Sequence, residues 1–185
     1  MILSDNSIMQ RLCCEEDDPK RLVIEPFREE YVGPASYDIS LGNSFLLKRK
    51  DDKPIDIHKN CGGYRRVTSD QFILYPNNFV LATTVEYISL PNDIAAFVQG
   101  RSSVGRLGLN VQDAGFIDPG FSGEITLELY NFSRVPIPLE KGMRIAQLVF
   151  YETYPCSKPY NGKYKGQHGA TPSLIFKDYK ETTHE

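Results

Sequence analysis

The chain has 185 residues, 41% of them hydrophobic and 24% charged, with a formal net charge of −3. That balance describes one soluble globular domain, long enough to bury a core. The acidic excess disfavours a broad grip on a nucleic-acid backbone, and no apolar run approaches the roughly 20 residues that span a bilayer, so neither nucleic acid nor membrane is expected as a partner.

At the amino terminus, MILSDNSIMQRL lacks a basic region ahead of a long apolar stretch. No secretory signal is expected, and the expected compartment is the cytoplasm. Ser4 or Asp5 caps a short amphipathic helix within 4–12, followed by the acidic turn EEDDP. Segments 21–27 and 36–47 read as strands separated by Gly33-Pro34, and 48–69 reads as a polar surface excursion. Short β-rich runs then recur at 71–75, 79–90, 94–99, 123–131 and 143–152, punctuated by YPNN, LPND, DPGFSG, RVPIP and EKGM. Many short strands with turn signals and no βαβ rhythm predict an all-β barrel or sandwich. The tail from Pro155 is polar and rich in Lys, Tyr and Gly; taken alone it reads as a disordered terminus.

The four cysteines, Cys13, Cys14, Cys61 and Cys156, form no C-x-x-C pair, and His58, His168 and His184 stand apart. Neither a disulfide framework nor a zinc site is suggested. The chemistry concentrates at 100–131, which holds Arg101, Ser102, Ser103, Arg106, Asp118 and Glu128. Cations and hydroxyls suit a phosphate-rich ligand, and a carboxylate can activate water. In GEITLELYN, strand alternation puts Glu124, Thr126, Glu128 and Tyr130 on one face and Ile125, Leu127 and Leu129 on the other. A strand glutamate usually faces water, but the IDPGFSG turn brings Asp118 towards the same strand, so two carboxylates could serve one site. Ser102 and Arg106 are four apart and share a face if SSVGR makes a helical turn, a natural anion binder although a weak signal by itself. Gln147 shares the strand face of Ile145 and Val149 and is expected to be buried, either as a satisfied core amide or facing a nucleotide.

Five blocks carry a family resemblance: PASYDISLG at 34–42, GRSSVGRLGL at 100–109, AGFIDPGFSGEITLELYN at 114–131, GMRIAQLVF at 142–150 and KPYNGKYKGQHGATPS at 158–173. In this order, over nearly the whole chain, they resemble the dCTP deaminase family, which shares a superfamily with the trimeric dUTPases. The resemblance implies a distorted β-barrel or jelly roll of the dUTPase-like type, with a short N-terminal helix and few other short helices. Residues 1–154 form the barrel and 155–185 a tail that closes over the active site.

By the same resemblance, Glu128 is the general acid/base, Ser102 and Arg106 orient water and steady charge, and Asp118 lies beneath the deoxyribose. Arg101 and Ser103 contact phosphate, while Tyr160, Lys163 and Gln167 close over the triphosphate. Gln112, Ala114, Phe116, Ile117 and Gln147 complete the substrate-binding set, and Asp38 is structural or metal-supporting rather than catalytic. The implied reaction uses no zinc, since the H-x-E and P-C-x-x-C signature is missing, and takes Mg²⁺ with the triphosphate. The implied assembly is a homotrimer with sites between subunits and the tail reaching across, under dTTP feedback through the 111–117 loop. The short NVQDAGF at 110–116, with Gln147, resembles the bifunctional branch that converts dCTP to dUMP, ammonia and diphosphate; Asp113 is unexplained there. Open alternatives are deamination only, releasing dUTP; dUTPase activity alone; and a non-catalytic trimeric nucleotide-binding barrel.

Overall fold

The structure, a computed structural model, describes residues 1–49, 54–60, 62–112 and 115–179. Helix α1 (Asp5–Leu12) starts at Ser4, whose hydroxyl accepts the Ser7 amide, and it buries Ile8. Then come β1 (Val23–Glu25), β2 (Val32–Gly33), β3 (Ser36–Lys48), β4 (Tyr64–Thr68), β5 (Gln71–Leu74), β6 (Phe79–Ser89) and β7 (Ile94–Gly100). The short helix α2 (Ser102–Gly105) leads into β8 (Leu109–Gln112), β9 (Phe116–Ile117), β10 (Ser122–Asn131), β11 (Ile137–Glu140) and β12 (Arg144–Glu152). The all-β expectation holds, and each strand read from the sequence is present with ends shifted by a few residues. β2, β4, β8, β9 and β11 were not anticipated, and β4 turns the end of the supposed surface excursion into a strand paired with β3.

The main sheet runs β8-β10-β6-β3-β12-β7-β9, with antiparallel pairing throughout, and β5 pairs separately with β11. It curls until its ends meet: a Cβ placed at Gly100 on β7 would lie 3.5 Å from Val111 on β8. Inward-facing residues fill the curl, among them Tyr37, Ile39, Phe45, Ile88, Leu127, Leu148 and Phe150, all 2% exposed or less. Burying a side chain of that size contributes about 1.5–3 kcal/mol. The Arg11 guanidinium, 2.7 Å from Asp93, ties α1 to the entrance of β7.

β6 makes an irregular step beside β10, with a register shift between Glu124 and Thr126. Two polar contacts fix the step. Thr84 Oγ1 accepts the Ile125 amide at 2.9 Å, and the buried Glu86 carboxylate accepts the Ser40 amide at 2.8 Å and the Ser40 hydroxyl at 2.6 Å. An extra residue in one strand bends the ladder and re-aims its neighbours, which here are the polar face of β10.

Candidate active site

Strand β10 alternates as the sequence predicted: Gly123, Ile125, Leu127, Leu129 and Asn131 are buried, while Glu124, Thr126, Glu128 and Tyr130 face the other way. Beneath that second face lies a cavity of about 380 Å³. Its wall joins aromatic rings (Tyr64, Phe79, Phe116, Phe121, Tyr160 and Tyr164) to the oxygens of Asp118, Thr126, Glu128, Gln167 and Thr171. Among the described residues, the Glu128 carboxylate has no hydrogen-bond or ion-pair partner. Burial pushes its pKa above the ordinary carboxylate range. A carboxylate desolvated and left without a donor is a poised base, because nothing competes for the proton it would take. Asp118, exposed at the same cavity, is the more solvated of the two. Two carboxyls in unlike surroundings is the arrangement that separates acid and base roles.

The tail forms the roof. Tyr160 donates its amide to the Pro119 carbonyl at 2.8 Å and packs its ring on Phe121 at 5.8 Å. Gly166 donates to the Ser122 carbonyl at 2.7 Å, and Thr171 donates to Thr126 Oγ1 at 3.1 Å. Two glycines of DPGFSG make room for this: a Cβ on Gly120 would meet Pro159 at 2.5 Å, and one on Gly123 would meet the Gln167 backbone at 3.1 Å. Both also hold positive φ, +83° and +147°, which side chains resist. Within one chain the tail therefore docks on strand β10. Lys163 points away from the cavity wall into an ion pair with Asp178 at 2.6 Å, whose carboxylate raises the ammonium pKa.

The cations stand elsewhere. Arg101 precedes α2, and Arg106 closes it with its amide on the Ser102 carbonyl at 3.0 Å, so SSVGR does form the expected helical turn. Ser102, Ser103 and Arg106 are exposed, and none of the four lines the cavity. Arg101 Nε and Arg144 each lie 3.3 Å from Asp38, which is thus held in a charge cluster. Gln147 pairs with Asp38 of β3 and Gln99 of β7. It is half-buried on the outer face, with Val149 and Tyr151, and not in the core with Ile145. A register shift between Arg144 and Ala146 explains the correction: it buries Ile145 and Ala146 in succession and reverses the alternation.

One chain thus brings Phe116, Ile117, Asp118, Glu128, Tyr160 and Gln167 together and leaves Arg101, Ser102, Ser103, Arg106, Gln147 and Lys163 outside their cavity. Gln112 sits opposite Glu128 by backbone pairing, and Ala114 and Asp113 lie outside the described residues. Sequence reading missed Tyr64, Phe79, Phe121 and Tyr164. Their signal was aromatic identity alone, and only the curl of the sheet places them around one space. No group of three or more His, Cys, Asp or Glu side chains converges among the described residues.

A family model described as dCTP deaminase-like matches residues 2–153. The "dCTP deaminase, dUMP-forming" of Sulfurihydrogenibium sp. (strain YO3AOP1) is 46% identical over 183 residues, 96% of this chain and 99% of that protein. The "dCTP deaminase, dUMP-forming" of Aquifex aeolicus (strain VF5) is 46% identical over 180 residues, 96% of this chain and 97% of the other. Among solved structures, the 2'-deoxycytidine 5'-triphosphate deaminase from Agrobacterium tumefaciens superposes with a TM-score of 0.63 at 24% identity, over 80% of this chain. This chain spans 47% of the length of that structure, and the likeness is one of fold. With the family model over most of its length and relatives of nearly half its sequence, the chain belongs to the dCTP deaminase family.

Proposed function

We propose that the chain hydrolyses dCTP to dUMP, ammonia and diphosphate, with residues 1–154 as the barrel and 155–185 as the lid of the site. The observation that carries this reading is the half-buried Glu128 carboxylate, without a partner among the described residues, in an aromatic cavity shared with Asp118. The names of the nearly full-length relatives support the dUMP-forming branch. An aromatic-walled space of this size suits a pyrimidine and its sugar, and the polar atoms at its wall give orientation.

Ionised Glu128 takes a proton from water as the oxygen bonds to ring carbon 4, and passes that proton to ring nitrogen 3. The same carboxylate then moves the new hydroxyl proton to the exocyclic amine. The carbon–nitrogen bond breaks, ammonia leaves and the carbonyl forms. Asp118, on the solvated side, accepts a proton from a second water as its oxygen bonds to the α-phosphorus. The bond to the bridging oxygen breaks and diphosphate departs. Zinc has no place in this scheme, because the base generates the nucleophile.

Magnesium fits as a companion of the substrate. Asp118 is an exposed hard-oxygen donor at the cavity, and no larger carboxylate cluster stands near it among the described residues, so phosphate oxygens and water would supply most of the coordination. Bound there, it would offset phosphate charge.

Among the described residues the cavity wall contains no Lys or Arg, yet a triphosphate needs cations. We assign that part to Arg101, Ser102, Ser103 and Arg106 of a second copy, with Gln147 beside them, in a homotrimer with sites between subunits. On this reading the enzyme works on free cytoplasmic nucleotides, accepts dUTP as a second substrate and is inhibited by dTTP in the same pocket. Purified protein incubated with dCTP and Mg²⁺, its products separated by anion exchange with dUTP in parallel, tests the reaction. Direct appearance of dUMP and diphosphate is expected. Accumulation of dUTP would reduce the activity to deamination, and no turnover of either nucleotide would overturn the reading.

A further inference from the structure

Strand β10 and the tail meet at Glu124, a side chain for which the reaction above has no use. It lies two residues from Thr126 on the face of Glu128 but does not itself line the cavity. Its carboxylate takes three donors from two separate parts of the chain. The Gly169 amide donates to Oε2 at 2.6 Å, the Thr83 hydroxyl of β6 donates to the same oxygen at 3.1 Å, and His168 Nδ1 lies 3.1 Å from Oε1. Its backbone is engaged as well: the Glu124 amide donates to the Gln167 carbonyl at 3.0 Å, and Gln167 Nε2 donates to the Glu124 carbonyl at 2.7 Å.

We infer that Glu124 is a positioning residue, the lock that fastens the tail to β10 and thereby fixes Gln167 in the cavity wall. The inference rests on the reading of the cavity as the nucleotide site.

The chemistry of the lock requires a carboxylate. Only an acceptor with two oxygens satisfies all three donors, and a charged acceptor shortens and strengthens such bonds. The next tail residues are held without a carboxylate: the Ala170 amide donates to Ser44 and its carbonyl accepts from the Arg66 guanidinium, while Thr171 donates to Thr126. The His168 ring, stacked on Tyr87 at 5.4 Å, holds the far side of the turn. What the lock positions is a side chain with unfinished hydrogen bonding. Gln167 Oε1 is buried and has no partner among the described residues, so one acceptor is left open on an amide already tethered at its other end. Glu124 reaches the reacting atoms only through Gln167 and the tail, which sets it apart from Glu128.

The test uses the full chain with Glu124→Gln, whose amide keeps the size but accepts through one oxygen and presents a donor where the turn already offers donors. Hydrogen exchange is read over 166–171 and over the barrel strands, alongside dCTP turnover. The expected result is loss of protection in 166–171 with the barrel strands still protected, and a fall in kcat/KM of at least about tenfold. Saturating dCTP should recover most of that loss, because bound substrate favours the closed tail. His168→Ala, which removes the Oε1 contact and the stacking on Tyr87 but leaves both Oε2 donors in place, should shift both readouts the same way by less. Unchanged protection of 166–171 in Glu124→Gln would overturn the inference, as would a released tail with unchanged kinetics. If the unsubstituted chain fails to turn over dCTP, the functional reading falls instead, and the inference falls with it, however the tail exchanges.

Discussion

The cavity around Glu128 and the turn from Arg101 to Arg106 lie on one chain and have opposite characters. The first is concave, aromatic and acidic, with a base desolvated by its surroundings and no cation in its wall among the described residues. The second is basic and open to solvent, with Ser102, Ser103 and Arg106 exposed and outside the cavity around Glu128. The concave site suits a nucleoside and the basic turn suits phosphate, so one chain keeps a desolvated base and its cations apart; on the proposed reading, assembly brings them together.

The largest effect expected in breaking that division is at Glu128. Glu128→Gln should lower ammonia release about 10³- to 10⁴-fold while nucleotide binding, followed by calorimetry, persists. Retained deamination would show the carboxylate to be a bystander. Next comes Arg106→Ala, for which a loss of about 100-fold in kcat/KM is expected with the thermal midpoint unchanged, since the residue is exposed. A change confined to stability would remove the basic turn from the site.

The scaffold sharpens the comparison from the other side. Glu86→Ala strands the buried Ser40 amide and hydroxyl and should cost about 3 kcal/mol in urea unfolding. A loss near zero would mean that the step in β6 is held by other contacts.

The smallest effect is in pH. Because burial raises the Glu128 pKa above its ordinary 4.5, its ionised, proton-accepting form is lost as pH falls through that raised value. The acid limb of kcat should therefore lie above the usual carboxylate range. A limb at or below 4.5 would mean that the cavity is wet in the working enzyme.

Much of this was legible in the sequence. Strand alternation in GEITLELYN fixed which way Glu128 points, and the nearby IDPGFSG turn brought Asp118 to the same strand end. Local patterns of this kind are short-range consequences of backbone geometry. Gln147 shows the limit, since one bulge reverses every later side chain and leaves no mark in hydropathy. The tail shows it more strongly: its polar composition reads as disorder, and its docking depends on partners such as Glu124 and Gly169, 45 positions apart. Tyr64 was set aside with a polar excursion because nothing local reveals that β4 pairs with β3.

The central claim, that each site takes its base from one copy and its cations from another, is tested most directly by mixing. Glu128→Gln and Arg106→Ala proteins, each inactive alone, are dissociated together, reassembled in equal amounts and assayed for dUMP formation. Random assembly should restore about a quarter of the unsubstituted activity, because some interfaces then pair an intact Glu128 with an intact Arg106. If the mixture stays as inactive as its components, base and cations act within one chain and the division described above is wrong.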